Sequence, residues 1–176
     1  MNIFETDKYV VKTFTMDNFD EFCEINQDPV VAKYVNHNDG KPKTLRECIN
    51  KYSDITYSQD KDGYSYWAIH EKNDTFIGQC GGLKSWFGDV NFCYAFRKKY
   101  WGKGIGTEVC RIVSNYLFDN FEDITKLTCS AFSENVASVK LLKKLGFECL
   151  RTEKEFGKEL EFFELKREDY EKKKNI

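Results

Sequence analysis

An α/β (α+β) chain built on a mixed, mostly antiparallel sheet is what this sequence predicts, and three observations predict it. Between Tyr64 and Phe96, three β-patterned runs follow one another across short polar turns, as in an antiparallel meander. The third run, Val90–Phe96, leads into a long amphipathic helical pattern and then into the alternating run Ile124–Phe132. A strand, a crossover helix and a strand can lie parallel, which makes the sheet mixed. The junction between strand and helix is Tyr100-Trp101-Gly102-Lys103-Gly104-Ile105-Gly106-Thr107, where three glycines alternate with Lys103 and Ile105.

The elements follow from local chemistry. Lys8 to Phe14 is strand-like around Val10 and Val11, and Thr15 or Asp17 can cap the segment in which Phe19, Phe22, Cys23 and Ile25 recur at helical spacing. Asp28-Pro29 ends that helix. Val30, Val31, Tyr34 and Val35 make a short second turn before the loop His37-Asn38-Asp39-Gly40-Lys41-Pro42. Thr44 with Glu47 three residues later forms a capping box for a helix through Leu45, Cys48, Ile49 and Tyr52. Gln59 to Gly63 is a polar turn. The meander then runs Tyr64–His70, Thr75–Leu83 and Val90–Phe96, with glycines in the second strand where backbone approaches closely. Past the glycine turn, Ile105, Val109, Ile112, Val113 and Tyr116 keep a helical stripe, with Glu108, Arg111 and Asn115 opposite. Ser133 to Ser138 leads into a shorter helix stopped by Gly146. Phe147–Thr152 and Glu161–Lys166 are closing strands, and 169–176 reads as a frayed charged tail. Residues 1–176 read as one domain.

Composition narrows the classes. The chain has 176 residues, 32% charged and 41% hydrophobic, as expected of a folded globular protein. No apolar run reaches the ~18 residues of a membrane span, and Met1 to Asp7 lacks the basic and apolar regions of a signal peptide, so the expected location is cytoplasmic. Seven dispersed cysteines read as reduced core residues, and with only His37 and His70 beside them no metal site is expected. A pI near 5.8 argues against nucleic acid. Residues 1–88 hold 10 Lys and Arg against 14 Asp and Glu, and the remainder 17 against 15, a distribution suited to a cationic acceptor beside an anionic cofactor.

The glycine turn carries the chemistry. Without a Cβ its backbone can lie against a bulky anion, and the first N–H groups of the following helix, with the helix dipole, favour phosphate. Arg97, Lys98, Lys99 and Lys103 add charge at the same place. A Walker loop would need Ser or Thr after its lysine, whereas Gly104 follows Lys103, and the dinucleotide fingerprint would need Gly-x-Gly-x-x-Gly in an early unit. A plain tight connection is the competing reading.

Tyr100-Trp101-Gly102-Lys103-Gly104-Ile105-Gly106-Thr107-Glu108 resembles the acetyl-CoA signature of the GNAT acetyltransferase superfamily, and Asn135-Val136-Ala137-Ser138 through Lys144-Leu145-Gly146-Phe147 resembles its second block. Glu5-Thr6-Asp7-Lys8-Tyr9-Val10-Val11-Lys12 and Phe162-Phe163-Glu164-Leu165 are similar to the branch containing ribosomal-protein-alanine N-acetyltransferases, so the resemblance spans nearly the whole chain. It implies helices on both sheet faces and a parallel pair of strands, the fourth and fifth, which splay to admit the pantetheine arm. Here those are Val90–Phe96 and Ile124–Phe132. It further implies acetyl-CoA as co-substrate. The backbone of Tyr94, Ala95 and Phe96 would pair with the arm, one N–H there polarising the thioester carbonyl. Trp101, Gly102, Lys103, Gly104, Ile105, Gly106 and Thr107 would hold the pyrophosphate, and Asn135 and Ser138 would face the arm from the far side.

The implied reaction is direct attack of a primary amine, on a protein N-terminus or a small molecule, within a ternary complex. Many relatives carry a tyrosine acid where this chain has Leu142; in the resembling branch a serine serves, and Ser138 matches it. Ser138 as an ordinary first-turn hydroxyl is the alternative. Relatives often place a glutamate where Asn91 stands, which leaves Asp89 as the nearest carboxylate to act as base, or as a turn former. His70 is either a structural residue or an acceptor contact, and Trp67, Trp86 and Phe87 either line the acceptor side or fill the core. The missing tyrosine and glutamate also suit an acyl-CoA-binding module without turnover, and a nucleotide-binding domain would use the same turn. The expected partners are acetyl-CoA and an amine, with no nucleic acid and no membrane; monomer and homodimer both remain open.

Overall fold

The computed structural model describes residues 1–35, 40–85, 88–155 and 157–174. Its strands are β1 (Asn2–Glu5), β2 (Tyr9–Thr13), β3 (Tyr66–Glu71), β4 (Phe76–Lys84), β5 (Val90–Phe96), β6 (Lys126–Phe132), β7 (Glu148–Glu155) and β8 (Lys158–Lys166). The helices are α1 (Phe19–Gln27), α2 (Pro29–Val35), α3 (Leu45–Asp62), α4 (Ile105–Asn120), α5 (Val136–Leu145) and α6 (Arg167–Lys174). One sheet runs in the order β1-β2-β3-β4-β5-β6-β8-β7. Its neighbours are antiparallel except β5 and β6, which are parallel. β1 was not legible as a strand, because only Ile3 and Phe4 of its four residues are apolar enough to pack on the core. It moves the parallel pair to fifth and sixth place.

Side-chain alternation splits the core between two faces. Trp67 and Ile69 of β3, with Ile77 and Cys80 of β4, bury against Val109, Cys110, Val113 and Leu117 of α4. Tyr66 and Ala68, from the same β3, pack with Phe22, Ile25, Cys48 and Ile55 of α1 and α3. Helices therefore cover both faces. The capping box forms as expected: Thr44 Oγ1 accepts from Glu47 N–H at 3.3 Å, and Glu47 accepts from Thr44 N–H at 2.7 Å. α3 runs on through the segment expected as a polar turn, because Ile55 and Ser58 continue its buried stripe before Gly63 stops it. All seven cysteines are free thiols, five of them buried. Among the described residues no helix is long and apolar enough to cross a membrane.

The closing segment differs from the frayed tail expected from Asp169. It is helix α6, whose Tyr170 hydroxyl donates to Asp119 at 2.8 Å and whose Tyr170 ring stacks on Phe118. At its start, the Arg167 guanidinium donates to the carbonyls of Phe118, Phe121 and Ile124 at 2.8, 2.6 and 2.8 Å. These carbonyls end α4 and the turn after it, where the helix dipole favours a cation. Arg167→Met is expected to lower stability by about 2–3 kcal/mol, since the bonds are charge-assisted and their acceptors lose their partner. In thermal melts that is a drop of roughly 4–12 °C for a chain of this size; an unchanged midpoint would show that the three bonds contribute nothing net.

Candidate active site

The glycine turn follows β5 through a single 3-10 turn at Lys98–Tyr100, with Tyr100 buried. Trp101 folds back so that its indole N–H donates to the Phe96 carbonyl at 2.7 Å, tying the turn to the end of β5. Gly102 and Gly104 have φ of 72° and 77°, and a Cβ at either would project into open space. Gly104 is the residue before α4, and the first bond of the helix ladder runs from Glu108 N–H to Gly104 O at 3.0 Å. The N–H groups of Ile105, Gly106 and Thr107 precede that bond and face out of the helix mouth. Gly106 serves packing instead, since a Cβ there would meet the Phe96 ring at 3.2 Å and a Leu141 methyl at 3.5 Å. It lets α4 pack closely, whereas Gly102 and Gly104 shape an open, amide-lined cradle of the kind a diphosphate fits.

Charge at the cradle is narrower than expected. Arg97 is committed elsewhere, donating to Phe76 O at 2.9 Å and pairing with Glu24. Lys98, Lys99 and Lys103 are exposed and remain near the mouth. Glu108 anchors the helix to β2, accepting from Lys8 Nζ at 2.8 Å and the Tyr9 hydroxyl at 2.9 Å. Those bonds hold its carboxyl below the usual range.

β5 and β6 stay paired only at Val90/Leu127 and Asn91/Thr128. On its other edge β5 remains paired with β4 through Phe96. The Arg97 N–H donates to Ile77 O at 3.0 Å, so strict alternation turns the backbone of odd-numbered β5 residues to β4 and that of Phe92, Tyr94 and Phe96 to the cleft. The Ala95 backbone, expected to face the arm, is by the same alternation turned to β4 opposite Gln79. An extended chain entering the cleft would meet Tyr94 and Phe96.

A cavity of about 320 Å³ opens beside this edge. On one wall Ser138 and Asn135 come from the start of α5. Asn135 caps that helix, its Oδ1 accepting from Ser138 N–H at 3.2 Å. Ser138 Oγ lies 2.5 Å from the Tyr94 hydroxyl, so strand and helix meet through one short hydrogen bond. Burial, foremost, pushes the Tyr94 phenol well above its ordinary range, which keeps it protonated. The lining also includes Asn26, Lys43, Lys51, Tyr66, Gln79, Asn91, Cys93 and Cys129; Tyr66 and Cys93 pack with the cluster of α1 and α3, whereas Tyr94 packs with that of α4, so the cavity reaches both faces of the sheet.

Several expected residues lie elsewhere. Asp89 sits just before β5, outside the cavity lining, with Lys126 Nζ 3.3 Å from its carboxylate. Asn91 does line the cavity and accepts from the Tyr66 hydroxyl at 3.3 Å. His70 is buried against Phe76, its Nε2 2.9 Å from Glu21, away from the cavity. Trp67 belongs to the core and donates to Gln59 at 2.7 Å. Trp86, Phe87 and His37 lie outside the described residues. Among the described residues the cavity lining contains no Asp, Glu or His. Its charged members among the described residues, Lys43 and Lys51, come from the acidic half of the chain.

Sequence reasoning missed Lys51, though a signal existed. Cys48, Lys51, Ile55 and Ser58 stand at i, i+3, i+7 and i+10, so a lysine occupies the buried stripe of α3. Gln79 and Asn26 gave no local sign, because only sheet and helix packing bring them together.

The GNAT acetyltransferase domain family matches residues 9–148. The uncharacterized N-acetyltransferase p20 of Bacillus licheniformis is 26% identical over 151 residues, covering 84% of this chain and 83% of that protein. Spermidine N-acetyltransferase of Vibrio cholerae, solved with CoA and spermine, superposes with a TM-score of 0.78 at 12% identity over 94% of this chain and 99% of that one. Ribosomal-protein-S5-alanine acetyltransferase of Vibrio fischeri gives 0.74 at 16% identity over 95% and 97%. At those identities the two structures speak to the fold alone, whereas the domain match covers most of this chain. With a glycine cradle at the mouth of α4 and a parting strand pair beside it, this chain belongs to the GNAT acetyltransferase family.

Proposed function

We propose that this protein is an acetyl-CoA-dependent N-acetyltransferase in which a primary amine attacks the thioester directly, both substrates being bound together. The observation that carries the reading is the Tyr94–Ser138 hydrogen bond, set between the open edge of β5 and the cradle of Gly102 and Gly104. The N–H groups at the mouth of α4 hold the diphosphate, and the outward backbone of Tyr94 and Phe96 aligns the pantetheine arm. The Tyr94 N–H belongs to the residue whose side chain meets Ser138, and it offers a hydrogen bond to the carbonyl oxygen as charge develops there.

Ser138 completes the exchange. Tyr94 is held protonated and either hydroxyl can be the donor of the pair; when Tyr94 donates to Ser138 Oγ, the Ser138 proton is directed into the cleft, toward the departing sulfur. Leu142, where many relatives have tyrosine, is fully buried and takes no part. Asp89 keeps its role as base only through a path of waters from its pair with Lys126. Among the described residues the lining otherwise supplies no carboxylate, so the ammonium form of the acceptor loses its proton to solvent. The expected consequence is a kcat/KM that rises about tenfold per pH unit up to the acceptor's own pKa. A plateau at lower pH, abolished by Asp89→Asn, would instead assign the proton to Asp89.

The reading is tested by following free thiol from acetyl-CoA across primary amines, with calorimetry of acetyl-CoA binding alongside. Binding with thiol release supports it, and indifference to the coenzyme overturns it. Binding without thiol from any acceptor would favour a non-catalytic acyl-CoA module, the reading to which Leu142 and the carboxylate-free cavity lend support. Whether the amine is borne by a protein N-terminus, as in the ribosomal-protein branch, or by a small molecule is decided by the same panel.

A further inference from the structure

The wall of the cavity facing Ser138 has its own chemistry. Lys51 is half-buried there, with its Nζ 5.0 Å from the centre of the Tyr66 ring. Among the described residues it forms no ion pair; Asp54, on the same helix, and the Cys93 thiol act on it only at longer range, and Lys43 repels it. Burial, the largest influence, pulls its ammonium below the ordinary lysine range. A cation taken partly out of water without a counter-charge is costly, and an anion arriving beside it restores the balance.

A second group points the same way. Gln79 is 3% exposed and lines the same cavity. Asn26 donates to Phe22 O at 2.8 Å, which fixes its amide, and donates also to Gln79 Oε1 at 3.3 Å. The Gln79 carbonyl is thereby used, and its N–H donors are left for whatever enters. Register places Gln79 one row from the ring that Lys51 overlies: Tyr66 pairs with Gly81 and Gly81 with Cys93, while Ala68–Gln79–Ala95 is the next row on that face. A half-buried ammonium near spare amide donors, with no acidic side chain among the described residues of the lining, matches an anion.

We infer that the acceptor is a primary amine that also carries a carboxylate, which Lys51 and Gln79 bind while the amine is turned toward Tyr94 and Ser138. This rests on the acetyl-transfer reading for its reaction, but not for its binding. The carboxylate accepts from the Lys51 ammonium and a Gln79 N–H, and the Tyr66 ring below excludes water from the pair. The amine then lies across the cavity from the anchor, so acceptors lacking the carboxylate keep their nucleophile and lose their alignment.

Matched acceptors test this. L-leucine against 3-methylbutylamine and 4-aminobutyrate against propylamine differ only by the carboxylate. Each is assayed by thiol release from acetyl-CoA and titrated calorimetrically into CoA-saturated protein. The expected wild-type preference for at least one carboxylate-bearing member is about tenfold or more in kcat/KM and in affinity. Lys51→Met is expected to abolish it while leaving CoA affinity and activity on the plain amines unchanged, and Lys51→Arg to retain much of it. A further arm compares the peptide amides Ala-Glu-Ala-Ala and Ala-Gln-Ala-Ala. A Lys51-dependent preference for the acidic peptide, stronger than for the free amino acids, identifies the carboxylate as a side chain next to a peptide N-terminus. Equal use of all matched pairs, or a preference that survives in Lys51→Met, overturns the inference. Lys51-dependent binding of the carboxylates without thiol release upholds it and overturns the catalytic reading instead.

Discussion

Gly104→Val is expected to weaken acetyl-CoA binding by about a hundredfold or more, close to 3 kcal/mol. Two effects combine. At φ 77° a side chain is held in the left-handed region, which costs roughly 1–2 kcal/mol for an L-residue and more strain for a β-branched one. The added atoms also fill the open space over the cradle, where nothing lies within 4 Å of a Cβ and where a diphosphate must come against the amides. Relaxing the backbone to relieve the strain would turn those amides away, so either response loses the ligand. Gly157→Val separates the two effects. That glycine, at φ 75° in the turn between β7 and β8, also has an unobstructed Cβ direction. It should share the fall in melting temperature, roughly 2–8 °C, and keep full affinity. Calorimetry that finds Gly104→Val binding like wild type would remove the cradle from the coenzyme site.

Ser138→Ala is expected to lower kcat by roughly a hundredfold, at the lower end of what a positioned proton donor contributes, with coenzyme affinity unchanged. Tyr94→Phe should give a smaller loss, because Ser138 keeps its hydroxyl but loses the partner that aims it. The two should not be additive: once Ser138 is gone, the Tyr94 hydroxyl has nothing left to orient. A kcat that survives Ser138→Ala would reduce the hydroxyl to helix decoration, leaving the Asn135 cap as the sole function of that turn. Parallel losses in the two variants with full additivity would mean separate roles.

What could be read from the sequence was local. A strand, a turn demanding positive φ and a helix mouth are consecutive in the chain, so Gly102 to Thr107 identified themselves, and the Thr44–Glu47 capping box did the same for α3. Ser138 was read from the resemblance, as a hydroxyl at the start of the buried face of a short helix; the Asn135 cap and the Tyr94 contact beside it came only with the structure. The acceptor wall was not, because α1, α3, β3, β4 and β5 each contribute a residue or two, and no stretch of chain holds more than one turn of it. Asp89 is near the cradle strand in sequence but outside the cavity lining: it stands at the paired end of β5, and the cleft opens at the other. His70 shares a β3 face with Tyr66, but Glu21 claims it at the far end of that strand. Charge counts over half the chain say little about the site for a related reason, since acids and bases distribute over a solvated surface, while the described part of the lining carries Lys43 and Lys51.

The two-rung contact between β5 and β6 also says something about mechanics. β1 to β5 form one leaf and β6 to β8 another, hinged along a seam only two residue pairs long and spanned on the back by α4. A ligand strand laid into the gap would complete the sheet, so under the proposed function coenzyme occupancy would double as a splint: the liganded molecule would be stiffer across the seam, and its two leaves would unfold together.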